Sequence, residues 1–227
     1  MLITVCRLYD SYADANRVVI ALEAAGVPSS ETSVISNNSD TWYKATKGAK
    51  VVPLRKEEAS SATAPDSKAP DGKASDGKAP GGKFEGAAIG AAIGAIGATA
   101  ATAASLVTML ALPGVGAVVG AGWLAAMLGS MAIGGATGGL LGALTNAGIS
   151  EEDAHVFVEG VRRGGTLVAA RVPQTELPRI EAMMNQSAVN LRERCDLYRK
   201  SGWQSFDPNA VPYTADQVSS ERALHAH

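Results

Sequence analysis

From Gly86 through Ser150 the chain carries no Asp, Glu, Lys, Arg or His, and this stretch holds 15 of its 25 glycines. A charge-free run of that length must be packed away from water or placed in lipid. Gly86, Gly90 and Gly94 recur at a spacing of four, as do Gly134, Gly138 and Gly142. Residues four apart share one face of a helix. Stripes of glycine let two helix backbones approach closely, as in small-xxx-small packing. These six glycines are therefore the expected helix-packing and assembly positions. Pro113-Gly114 predicts a break between two helices, so 86–149 reads as an apolar glycine-zipper helical hairpin.

Each glycine inside a helix costs about 1 kcal/mol relative to alanine. Such helices need either a tight partner or a solvent that forbids open backbone groups. Two readings follow. In the first, the hairpin associates with lipid and self-assembles. In the second, a soluble oligomer buries the zipper as its core. Poverty in Leu, Ile and Phe weighs against the first, and the absence of charge weighs for it.

The flanks read differently. In 1–54, Leu2-Ile-Thr-Val-Cys-Arg-Leu predicts a strand. Asp10 or Ser11 can cap a helix through Ala25, with Val18, Val19 and Leu22 at helical spacing. Val34 and Ile35 mark a second strand, parallel to the first across a helical crossover. In 150–200, Ser150 caps a helix with Asp153 three residues on. Thr166-Leu-Val-Ala-Ala-Arg-Val is a strand. A helix from Pro173 and a short strand at 188–191 complete a second β-α-β unit. The tail, 201–227, reads as irregular with a short helix capped near Thr214. Two such units are too small to stand alone. Sharing one sheet, with helices on one face, they make a ferredoxin-like α+β domain. Both must then lie on one side of any membrane, which suits a hairpin.

Between them, 55–85 is a low-complexity linker with Lys68, Lys73, Lys78 and Lys83 at a spacing of five. That period suits neither helix nor strand, so the linker is expected to be disordered.

Composition and motifs exclude several function classes. A net charge of -2 leaves no electrostatic footprint for nucleic acid. Cys6 and Cys195 form neither a CxxC pair nor a zinc motif. Gly114-Val-Gly116-Ala-Val-Val-Gly120 lacks the strand and acidic residue that a dinucleotide loop requires. His155, His225 and His227 make no ligand set. The acidic turn at Glu151, Glu152 and Asp153 suits a helix N-terminus, and Arg162-Arg163 suits a C-terminus. No catalytic residue, cofactor or metal is expected. The N-terminus lacks a basic n-region and long apolar h-region, so the folded parts are expected in the cytoplasm, either free or at the inner membrane's cytoplasmic side.

Several segments taken together resemble the bacterial general (heat-induced) stress protein family. They are Tyr9-Asp-Ser-Tyr-Ala-Asp-Ala, Pro113-Gly-Val-Gly, Gly148-Ile-Ser-Glu-Glu-Asp-Ala, and Glu159-Gly-Val-Arg-Arg-Gly-Gly-Thr-Leu-Val. Trp203 and Phe206-Asp-Pro resemble its proteobacterial members. The resemblance covers most of the chain outside the linker. It implies a stress-associated role and transfers no catalytic residue.

Overall fold

The computed structural model describes residues 1–44, 107–131 and 139–225. Among them the chain is α+β, with an antiparallel sheet of five strands in the order β1-β5-β2-β4-β3. The strands are β1 (Leu2–Tyr9), β2 (Thr32–Asn37), β3 (Thr108–Leu112), β4 (Gly116–Gly122) and β5 (Thr166–Pro173). The helices are α1 (Tyr12–Ala24), α2 (Trp123–Met131), α3 (Gly139–Asn146), α4 (Glu151–Arg162), α5 (Leu177–Met184), α6 (Leu191–Lys200) and α7 (Ala215–His225).

The two ends of the chain share this sheet. β5 lies between β1 and β2 and is antiparallel to both, running from Leu2↔Pro173 to Tyr9↔Thr166 on one side and from Thr32↔Ala170 on the other. β1 and β2 are therefore parallel to each other, separated by β5 and joined by α1. Ser11 caps α1 by accepting from the Asp14 backbone, and Gly26, at φ +90°, ends it. Ser150 caps α4 in the same way through Asp153.

Helices cover both faces of the sheet, where one covered face was expected. Val5, Tyr9, Val34, Val168 and Ala170 pack with Val18, Val19 and Leu22 of α1 and Ile180 and Met184 of α5. On the other face Cys6, Leu8, Ile35, Leu167 and Ala169 pack with residues of α2, α3 and α4, among them Leu124, Leu144, Phe157 and Val161. The cause lies in β5, whose Leu167-Val-Ala-Ala sequence is apolar on both sides of the pleat. A strand buried on both faces reads as a continuous apolar run.

The expected helical hairpin does not hold at 108–122. There the chain forms the β3–β4 hairpin, paired from Thr108↔Gly120 to Leu112↔Gly116. Pro113-Gly114 makes its turn. The Val115 amide donates to the Leu112 carbonyl at 3.2 Å and Gly114 has φ +71°. Proline followed by a left-handed glycine is the pattern of a type II turn. The glycines do permit close backbone approach, but of strands. A Cβ at Gly122, which has φ +91°, would run into the Thr32 carbonyl and the Ser33 backbone.

The expected strand at 188–191 is also absent. The Val189 amide gives one bond to the Leu8 carbonyl, 2.8 Å. Asn190 then turns the chain into α6, its side chain accepting from the Arg192 and Glu193 amides. The linker expectation for 55–85, and the helical expectation for 86–106, lie outside the described residues.

Candidate functional site

The described residues concentrate their buried polar groups where β2, α4 and the C-terminal segment meet. Asn37, fully buried at the end of β2, donates from Nδ2 to the carbonyls of Val161 and Arg162 at 3.1 and 3.2 Å. Its Oδ1 accepts from the Ser39 amide at 2.8 Å. One asparagine thus bonds two carbonyls in the last turn of α4, of which that of Val161 also accepts from the Gly164 amide at 3.0 Å. Asn38 holds the following loop closed, accepting from the Tyr43 amide and donating to the Tyr43 carbonyl. Trp42 Nε1 donates to the Asn37 carbonyl at 2.8 Å.

Arg222 of α7 straps this corner. Its Nε donates to the Gly164 carbonyl at 2.8 Å, its Nη2 to the Asn37 carbonyl at 3.2 Å, and its Nη1 pairs with Asp40. Gly164, at φ +110°, leaves room for Val218 and Arg222, which a Cβ would meet at 2.9–3.3 Å.

Beside it lies a buried carboxylate. Glu159 is 1% exposed and accepts from Arg163 Nε at 2.7 Å and Arg162 Nη1 at 3.1 Å. Positions three and four residues on share a helix face, so α4 itself brings both cations to it. Arg163 also reaches Glu221 of α7 at 3.3 Å and lies over the Tyr198 ring at 4.3 Å. Arg162 lies over the Tyr213 ring at 4.4 Å and donates to the Val211 carbonyl at 2.9 Å. Burial alone would lower the Arg163 pKa, but the hydrogen bond and charge of Glu159 outweigh it and hold the guanidinium above its ordinary value. Asp10 does the same for Arg194 through two bonds of 2.8 and 2.9 Å.

These pairs form a clasp that ties α4, α7 and the loop after β2 together. Burial pushes the Cys6 thiol up to about 12, and the Tyr12 and Tyr198 phenols to about 12. His155 is committed, its Nδ1 accepting from the Phe206 amide at 3.1 Å. Among the described residues no group of His, Cys, Asp and Glu could hold a metal ion.

The segments quoted for the resemblance make packing contacts in several parts of the fold. The hairpin tip at Gly114 lies against Phe206-Asp-Pro, and Gly116 lies against Pro212 and Ser39. Gly160 of α4 packs on Leu8, where a Cβ would clash. Trp203 stacks edge-on with Tyr198, centroids 5.7 Å apart. Tyr9 donates to the Met184 carbonyl at 2.6 Å. Trp42 and Trp123 are packing residues too, with Trp123 Nε1 donating to the Glu31 carbonyl.

Of the expected assembly glycines, Gly86, Gly90, Gly94, Gly134 and Gly138 lie outside the described residues. Gly142 is half-buried on α3, off the stripe of Leu140, Ala143 and Leu144 that faces the core. Residues that sequence reasoning passed over are Asn37, Asp40, Glu159 and Arg222. The Glu159–Arg162–Arg163 spacing was the available signal.

Clefts indent the surface among the described residues. A small apolar one is lined by Tyr12, Val34, Trp42, Val107, Val119 and Ala121. A second, of about 210 Å³, lies between the end of α1 and α5 near Arg171 and Arg179. A third, of about 380 Å³, lies between α4 and α6 and is lined by both charge signs, with Arg199 paired to Glu152 across it at 3.3 Å. No helix among the described residues is long and apolar enough to cross a membrane. No known family, characterised protein or solved structure matches the chain.

Proposed function

We propose that this chain is a non-enzymatic, self-assembling protein built on a ferredoxin-like sheet, with the charge-free stretch that begins at Gly86 as its assembly element. The split arrangement of β1, β5 and β2 around α1 supports the ferredoxin-like reading, since that fold is built from such units. The single Val189–Leu8 bond stands where its fourth strand would run. A stress-associated role rests on the family resemblance alone.

One observation carries the choice between the two assembly readings. Trp42 and Val107 line the same apolar cleft, so the chain leaves the sheet and returns to it at one place. The sheet claims 108–122, which leaves about 20 charge-free residues, 86–106, ahead of it. That length suits one membrane crossing and not two. A single crossing would separate Trp42 from Val107, or carry the charged linker back through lipid at high cost. This supports a protein-packed assembly element and weighs against a spanning hairpin. Lipid contact, where it occurs, is then peripheral.

Fractionation of native protein with a carbonate wash tests this. Release into the supernatant, still assembled, is expected. Retention in the washed membrane would favour a span and overturn the reading.

A further inference from the structure

The two edges of the sheet are treated differently. β1 is guarded. Val189 lies along it, and Arg7 on that strand is tied to Asn185 and Glu181 of the neighbouring segment. Charged side chains and covering segments are the usual means of blocking an edge. β3, the opposite edge, has none of them among the described residues. Its sequence is Thr-Met-Leu-Ala-Leu, without charge or internal proline. It pairs with β4 residue for residue, without a bulge. Among the described residues its outer backbone groups have no strand beside them.

We infer that β3 is an interaction edge, and that its partner is β3 of a second copy of this chain, paired antiparallel about a two-fold axis at Leu110. This rests on the self-assembly reading and adds a contact to the glycine-rich element that precedes the strand. Three features point to a second copy. No charged residue occurs from Gly86 through Ser150, so two copies meet here without like-charge repulsion. A two-fold contact is self-complementary by symmetry, and the strand fits that demand. Centred on Leu110, the half-buried Met109 stands opposite the exposed Ala111 of the second copy, large against small. Leu110 meets its own copy, and Thr108 meets Leu112. Leu110 and Leu112 are already buried at 3% and 5% on the face covered by α2, α3 and α4, so pairing continues the sheet without exposing new apolar surface.

Two measurements on the full chain test this. The first is sedimentation of Ala111→Lys beside the parent. Ala111 is exposed, so lysine is tolerated by the fold, while an edge lysine opposes pairing. A twofold fall in assembly mass with unchanged circular dichroism is expected. The second mixes Met109→Cys with Ala111→Cys copies. Directly opposite residues lie ~4.5–5.5 Å apart, within disulfide reach, and the native Cys6 and Cys195 are buried. An intermolecular disulfide is expected in the mixture and not in either variant alone. If the parent assembles but Ala111→Lys keeps its mass and the mixture forms no disulfide, the edge assignment is wrong while self-assembly stands. If Ala111→Lys loses thermal stability without losing mass, the chain covers its own edge and the inference again fails. A parent that sediments as a monomer overturns both.

Discussion

Gly114 and Phe206 touch. A Cβ on Gly114 would stand 2.9 Å from the Cζ of Phe206 and 2.6 Å from the Asp207 carbonyl oxygen. The contact joins the β3–β4 turn to the C-terminal segment across ninety-two positions of sequence, the difference between 206 and 114.

Gly114→Ala meets two penalties at once. The left-handed φ of +71° costs an L-residue about 1–2 kcal/mol, and the methyl group displaces the 206–208 backbone. A loss of about 2–3 kcal/mol in denaturant unfolding is expected, with faster proteolysis around 204–212. The same cleavage rate in variant and parent would show that the tail is held without this contact.

Removing the carboxylate of Glu159 takes the buried anion from two largely buried arginines and leaves Arg163 with Glu221 and Arg162 with the Val211 carbonyl. Breaking a buried pair by deleting one partner costs about 3–5 kcal/mol. Glu159→Ala is therefore expected to unfold at markedly lower urea concentration. Replacing Glu159, Arg162 and Arg163 together by apolar residues should recover part of that loss, because the uncompensated charge is gone. A Glu159→Ala variant as stable as the parent would mean that the remaining partners of Arg162 and Arg163 suffice.

The buried thiol and phenols set an alkaline limit. Cys6, Tyr12 and Tyr198 all have pKa values raised to about 12, chiefly by burial. A folded-state pKa above the unfolded value stabilises the fold fully below the unfolded pKa, near 9 for cysteine and 10 for tyrosine. That stability is lost as pH rises toward about 12. Urea midpoints should fall across that window and be indifferent to these groups near neutrality. At pH 7 the Cys6 thiol should resist alkylation in the native state. Rapid modification there would show that β1 opens.

Much of the fold was legible where period and cap agree. Ser11 and Ser150 announced α1 and α4, and the β-branched run of β1 and the apolar run of β5 announced strands. The hairpin was not legible because apolar runs as short as those beside Pro113-Gly114 do not distinguish strand from helix by periodicity. Pro-Gly serves a helix stop and a type II turn equally, and the run of glycines tipped the reading toward helix. Val118-Val119 was the counter-signal. The fold resolved the ambiguity because Gly120 and Gly122 let β4 lie against β2. α6 was missed although Asn190, with Glu193 three residues on, is a cap signal. The clasp was illegible because Asn37, Asp40, Glu159 and Arg222 come from four distant places and only the fold brings them together.

The central claim is that the chain assembles through its charge-free stretch. Sedimentation velocity of the full chain in detergent-free buffer, over a wide concentration range, tests it most directly, with Gly90→Ile as the comparison. The proposal puts Gly90 at a helix contact, where an isoleucine would cost about 1–3 kcal/mol in each subunit, although it favours a helix. The parent is expected to sediment at a multiple of 23.1 kDa and Gly90→Ile at a lower mass with the same far-ultraviolet spectrum. A parent that remains a 23.1 kDa monomer throughout, or a Gly90→Ile variant that assembles unchanged, would contradict it.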